Sequence, residues 1–238
     1  ARPRTTARRE GNSFELRGKK IQVLDGHVAD AILVTATSDE GLHIFLVDPR
    51  AKGVKVTRQN RLDSRNAALV ELEGVRVEPT AIIASPTSAE RVLGDVLDQA
   101  AIGLSAEMLG GAQQALDDTV AYLKERVQFG VPIGSFQALQ HRAARLFIEV
   151  QLLRASVLAA ARAVDDAPSL VPGLASLAKA RAAETFVHVA KEAIQMHGGI
   201  GMTDEHDIGF YLKRAQSAAY AFGDASFHRM RWATLHGY

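Results

Sequence analysis

The feature that most constrains this chain is a change of hydrophobic period at Pro86. Before it, apolar residues recur every second position. After it they recur every 3.6. Runs such as Phe14–Gly18, Ile21–Gly26, Ala31–Ala36, His43–Val47, Val54–Val56 and Ala68–Leu72 are short, mostly carry β-branched residues, and are bounded by Gly, Asp or Pro. Their turn signals come about ten residues apart, which predicts antiparallel meanders in a small sheet or barrel. The strands are few for a closed barrel, and Ala1-Arg2-Pro3 has no initiator Met and no signal-peptide core, so the chain reads as one that starts inside a domain.

Downstream of Pro86 the pattern predicts helices. Thr87-Ser88-Ala89-Glu90 has the form of a capping box, and a long helix can follow to about Val127. Phe136, Leu139, Ala143, Leu146, Val150, Leu153 and Val157 are spaced by steps of three and four, one apolar stripe of a bundle helix. Asp165-Asp166-Ala167-Pro168 ends it. Further helices are expected over about 174–196, 205–221 and 224–235, the first of these stopping at Gly198-Gly199. The predicted fold class is therefore α+β: part of a β domain over 1–86, then a helical bundle with four main helices over 87–238.

Of the 238 residues, 47% are hydrophobic, enough for a substantial core. Twenty-eight basic and 27 acidic residues leave a net charge of +1, so no basic field points to nucleic acid. With no cysteine there is no disulfide, thiolate metal site or cysteine nucleophile, a composition compatible with a reducing cytoplasm. No apolar run is long enough to span a membrane. The histidines His197, His206, His228 and His236 look scattered. Asp204-Glu205-His206-Asp207 reads as a helix N-terminus stocked with acids for the dipole rather than as a metal site.

Two segments carry chemistry: Arg126-Val127-Gln128-Phe129-Gly130-Val131-Pro132-Ile133-Gly134-Ser135-Phe136-Gln137 and Gln195-Met196-His197-Gly198-Gly199-Ile200-Gly201. A guanidinium fork at Arg126 suits a diphosphate. Phe129 offers an apolar or stacking surface. Gln195 can both donate and accept. Gly198 and Gly199 allow a close backbone approach to a phosphate.

Together these segments resemble the two signatures of the C-terminal half of the acyl-CoA dehydrogenases, and the resemblance runs over nearly the whole chain from Thr6. It implies a β domain that covers FAD and a helical bundle that supports it and builds the oligomer. It also implies that Arg126, Gln128, Phe129, Gln195, Gly198 and Gly199 contact the FAD held by a neighbouring subunit. Elsewhere the chain departs from the family. Where the family commonly has Trp-Ile-Thr against the flavin ring, this chain has Gln22-Val23-Leu24. In register, the catalytic glutamate falls on Phe222, and the alternative base position on the first long helix falls near Ala100. No catalytic base is therefore assigned. Asp98, Glu107 and Asp224 are the nearest carboxylates that could replace it.

A chain that keeps the contacts given to a neighbour and lacks those used for itself is expected to be a partner subunit. It resembles the non-catalytic subunits of actinobacterial heteromeric acyl-CoA dehydrogenases, α2β2 assemblies that include enzymes of steroid side chains. The expected partners are a homologous subunit that supplies the base, an acyl-CoA bound mainly by that subunit, and electron-transfer flavoprotein as acceptor. The alternatives are a self-sufficient homomeric dehydrogenase with a displaced base at Asp224 or Glu107, and a scaffold without enzymatic role.

Overall fold

The computed structural model describes residues 3–238. Ala1 and Arg2 lie outside the described residues, and the reading of the N-terminus as an internal start falls largely on them. The chain divides into two compact units, one ending at Gly94 and one running Asp95–Tyr238.

The first unit is a seven-stranded sheet. Its strands are β1 (Thr6–Glu10), β2 (Ser13–Leu24), β3 (Ile32–Ser38), β4 (Gly41–Val47), β5 (Val54–Gln59), β6 (Ala67–Val77) and β7 (Ile82–Ala84), in the order β5-β6-β2-β1-β3-β4-β7. Every pairing is antiparallel except one. β3 lies on the far side of β1 rather than beside β2, and pairs with β1 in parallel at Thr6–Thr37. The sheet is thus mixed, where alternation alone predicted a purely antiparallel one. Alternate residues Phe14, Leu16, Val34, Ala36, Phe45, Val47, Val70 and Leu72 form one core. The Phe14–Gly18 and Ile21–Gly26 runs join into the single strand β2, whose register slips between Lys20 and Val23. That bulge puts Gln22 at φ 53°.

The helices are α1 (Ala89–Glu125), α2 (Gln137–Asp166), α3 (Val171–His197), α4 (Ile208–Tyr220) and α5 (Ala225–Leu235). The expected capping box does not form. The Thr87 hydroxyl lies 3.0 Å from that of Ser85, and the Ser85 carbonyl accepts the Ser88 and Ala89 N–H groups that open α1. On α2, Leu146, Val150, Leu153 and Val157 are buried as the stripe predicts. Phe136 is exposed instead, and meets the Phe129 ring edge-on at 6.0 Å. α4 starts three residues later than predicted, so Asp204–Asp207 precede the helix rather than form its first turn.

α3 packs against α2, α4 and α5. Its buried residues are mostly small: Ala175, Ala178, Ala182, Ala183, Ala190 and Ala193 are essentially without exposure. Small residues let three neighbours approach one helix closely, and the larger Phe186 fits because α1 presents Gly111 to it. A Cβ at Gly111 would fall 2.5 Å from Phe186 Cζ.

The α4–α5 turn is tied to α3 by a buried lysine. Lys179 Nζ donates to the carbonyls of Ala219 at 3.0 Å and Gly223 at 2.9 Å. Those carbonyls lie at the negative end of α4, where a cation is favoured. Burial pulls the Lys179 ammonium down to about 8, against the opposing pull of Asp224.

Two measurements follow from this packing. Gly110 has open space where a Cβ would go, so Gly110→Ala is expected to stabilise the chain by about 0.5–1 kcal/mol in thermal unfolding. Its neighbour Gly111→Ala is expected to destabilise it by about 1–3 kcal/mol, because the buried Phe186 ring has nowhere to move. Equal effects at the two positions would contradict this packing. For Lys179, the folded value lies below the ordinary 10.5, so the folded chain sheds this proton first. The resulting cost is complete below pH 8 and is relieved as pH climbs from about 8 to 10.5. The unfolding free energy of the wild type relative to Lys179→Met is therefore expected to rise across that interval, and a flat or falling difference would rule the account out.

Candidate functional site

At the end of α1 the backbone continues for one more hydrogen bond, Arg126 N–H to the Tyr122 carbonyl at 2.9 Å. It then folds into a small hairpin of β8 (Val127–Gln128) and β9 (Val131–Pro132). Phe129 and Gly130 are its two turn residues, at φ 53° and 81°. Positive φ at both central positions is the type I′ geometry that suits a two-residue hairpin. The consequence is a Phe129 ring 91% exposed at the tip. Arg126 and Gln128 are exposed too, and Arg126 has no ion pair among the described residues.

At the end of α3, Gln195 is exposed and its carbonyl accepts the Gly198 N–H. Gly198 takes φ 66°, ψ −140°, and a 3-10 turn runs Gly198–Met202. Gly201 is required by the chain itself, since a Cβ there would meet the Ile194 carbonyl oxygen at 2.7 Å. Gly199 is different. Its φ is unremarkable and no atom of the chain lies within 4 Å of a Cβ there. The room it leaves faces outward.

The two segments come together at one end of the bundle. The Tyr122 ring stacks on His197 with centroids 4.4 Å apart, and His206 lies against His197 at 4.6 Å. The six residues singled out in the sequence thus sit on two adjoining exposed segments, with a fork, an aromatic surface, an amide and free glycine backbone. That set fits the phosphate and adenine side of FAD in chemistry. Sequence reading missed Tyr122 and took His197 and His206 as scattered. The one available signal was Tyr122 standing a single helical turn before Arg126.

The flavin-ring side does not fit. Gln22 is turned outward by the bulge, with its N–H bonded to Gln59 Oε1 at 2.9 Å. Leu24 and Ile21 are exposed aliphatic groups without a hydroxyl or an aromatic face. The nearby Thr35 hydroxyl already accepts from Lys20 Nζ at 3.1 Å.

Phe222 lies in the α4–α5 turn at φ 58°, its ring packed on the bundle core and its carbonyl accepting from His228 Nε2 at 2.9 Å. Each candidate carboxylate has a structural task. Asp98, on α1, is buried and held by both guanidinium nitrogens of Arg231, which also reaches Ser176 Oγ at 3.1 Å. Glu107 forms a two-point pair with Arg214 at 2.7 and 3.0 Å. Asp224 caps α5, its Oδ1 accepting the Phe227 N–H at 2.8 Å. Among the described residues no group of three His, Cys, Asp or Glu is arranged to hold a metal, and no helix is long and apolar enough to cross a membrane.

Comparison with known proteins places these observations in a family. The acyl-CoA dehydrogenase C-terminal domain profile matches residues 91–234 and the middle domain profile residues 1–77. The acyl-CoA dehydrogenase IpdE2 of Mycolicibacterium smegmatis is 48% identical over 140 residues, covering 57% of this chain and 42% of the relative. Its counterpart in Mycobacterium tuberculosis is 38% identical over 201 residues, 83% of this chain and 54% of that protein. Among solved structures, the ChsE4-ChsE5 complex from Mycobacterium tuberculosis superimposes with a TM-score of 0.89 at 31% identity, covering 98% of this chain and 63% of that one. A steroid acyl-CoA dehydrogenase, Tcur3481-Tcur3483, gives 0.87 at 33% identity, covering 99% and 63%. The chain spans roughly half the length of the two IpdE2 relatives, 42% and 54%. With both domain profiles in order along it, the chain belongs to the acyl-CoA dehydrogenase family.

Proposed function

We propose that this chain is the partner subunit of a heteromeric, FAD-dependent acyl-CoA dehydrogenase. It completes the cofactor site of a homologous subunit, which supplies the base. The observation that carries the reading is the split between the two half-sites. The residues a neighbour's FAD would touch are intact and exposed. The position of the chain's own base is a phenylalanine, and its flavin-ring contacts are Gln22 and Leu24.

In the assembly, the Arg126 guanidinium binds the cofactor diphosphate and Phe129 covers apolar surface beside it. Gln195 and the Gly198-Gly199 backbone hold its polar edge. Bound FAD supplies the acceptor for the hydride that leaves the acyl thioester during α,β-dehydrogenation. The partner's base removes the α proton, and electron-transfer flavoprotein takes the electrons onward. Similarity to the ChsE4-ChsE5 complex and to a steroid acyl-CoA dehydrogenase of two named components supports a hetero-oligomer and a steroid CoA thioester as substrate; within this reading the assembly is α2β2 and the thioester is on the steroid side chain.

A homomeric enzyme with a displaced base is the weaker reading. Recruiting Asp98, Glu107 or Asp224 as the base would break a buried ion pair, a two-point pair or a helix cap. A base must also reach its proton at about 3 Å.

The test is flavin per polypeptide, from absorbance and protein mass. The chain expressed alone is expected to be free of flavin and inactive on acyl-CoA. Its complex with the partner subunit is expected to hold about one FAD for every two chains. Arg126→Ala should weaken FAD retention by the complex roughly 10- to 100-fold, the range for losing charge-assisted bonds. One FAD per chain in the lone protein, reduced by acyl-CoA, would sink the reading.

A further inference from the structure

The Arg126–Phe129 hairpin and the Gly198–Gly199 turn must present their groups to one cofactor, yet among the described residues no hydrogen bond joins them. The link at that end of the bundle is a set of rings. Tyr122 gives its carbonyl to Arg126 N–H and its ring to His197, the residue immediately before Gly198. His197 is buried, and its Nδ1 donates to the Ala193 carbonyl at 2.7 Å, which fixes the ring plane and the tautomer. His206 closes the set. Its ring lies 4.6 Å from His197 and 6.5 Å from Tyr122. Its Nδ1 accepts the N–H of Ile208, the first residue of α4, at 3.1 Å.

We propose that Tyr122, His197 and His206 are positioning residues for the flavin-contacting surface, holding the hairpin and the glycine turn in one fixed relation. This inference rests on the partner-subunit reading and deepens it. Aromatic pairs with offset or tilted rings add directional attraction beyond burial, and a misplacement of about 1 Å is enough to spoil a bidentate contact.

The imidazoles give the device a signature that ordinary packing lacks. A proton added to His197 would put a charge on a buried ring whose Nδ1 is already engaged in donating to the Ala193 carbonyl. The surrounding groups are Asp118 and Tyr122 from α1, Tyr211 and Lys213 from α4, and Asp204, Glu205 and Asp207 from the connecting loop. Tyr211 donates to Asp118 at 3.0 Å, and Lys213 lies 3.9 Å from Asp204. Burial depresses the His197 imidazolium, its bond to Ala193 and then Asp118 oppose the shift, and His206 adds to it. Folded His197 is therefore less protonated than in the unfolded chain, and the folded surface loses stability as pH falls below the ordinary 6.5.

The test uses the complex with its partner subunit, with FAD release followed by flavin fluorescence. Tyr122→Leu is expected to raise the FAD dissociation constant about tenfold, while Tyr122→Phe, which keeps the ring, leaves it unchanged. The wild type should lose FAD more readily below pH 6.5, and His197→Asn, whose amide can still donate to the Ala193 carbonyl but takes no proton, should flatten that acid-side loss. In the chain alone, amide exchange over 195–208 should quicken in Tyr122→Leu and not in Tyr122→Phe. If Tyr122→Leu keeps full FAD affinity while Arg126→Ala loses it, this inference fails alone. If Arg126→Ala also keeps it, the partner-subunit reading fails and takes this inference with it.

Discussion

The helical unit depends on one constraint: α3 is surrounded, so its side chains must be small. A helix flanked by several neighbours has little room for bulk, and seven of its buried positions are alanine. Close approach then does several jobs. It lets Gly111 of α1 receive Phe186. It brings Lys179 within reach of the α4–α5 turn, and it carries Gln195 and His197 to the end of the bundle where α1 also finishes. The surface attributed to cofactor contact is thus a by-product of how tightly α3 is enclosed. Its exposed residues are set by buried ones a turn or two away.

Much of the fold was legible because burial on one face leaves a period. The α2 stripe shows this, with Leu146, Val150, Leu153 and Val157 all buried. What escaped lacked a period or borrowed its shape from elsewhere. β1 reads Thr-Ala-Arg-Arg-Glu, with only Ala7 buried, so nothing in its alternation announces a strand. β7 has three residues, too few to show one. The parallel join of β1 to β3 is a matter of which edge the returning chain finds, which local sequence does not encode. Phe136 fits the stripe arithmetically, but it stands at the cap of α2, beyond the core, and pairs with Phe129 instead.

The candidate site was half legible for a similar reason. Gly198 also serves as the positive-φ stop of α3, but Arg126, Phe129 and Gly199 stand out as exposed residues that the bundle's own packing does not call for. Tyr122 and His206 do not, because an aromatic residue in a helix or loop is ordinarily a packing residue, and only the three-dimensional arrangement shows what these rings hold together. The reverse applies to Asp98, Glu107 and Asp224. As sequence they are candidate bases. In the structure each is already committed, to Arg231, to Arg214 and to the α5 N-terminus.

The type I′ turn at Phe129-Gly130 has a consequence for the life of the chain outside any assembly. The turn leaves Phe129 largely in water, with the Phe136 ring edge-on beside it, at the cost that any large apolar surface carries there. Covering it relieves that cost, whatever does the covering. A chain with this tip uncovered therefore presents a surface prone to self-association, a consequence of the geometry of a two-residue turn.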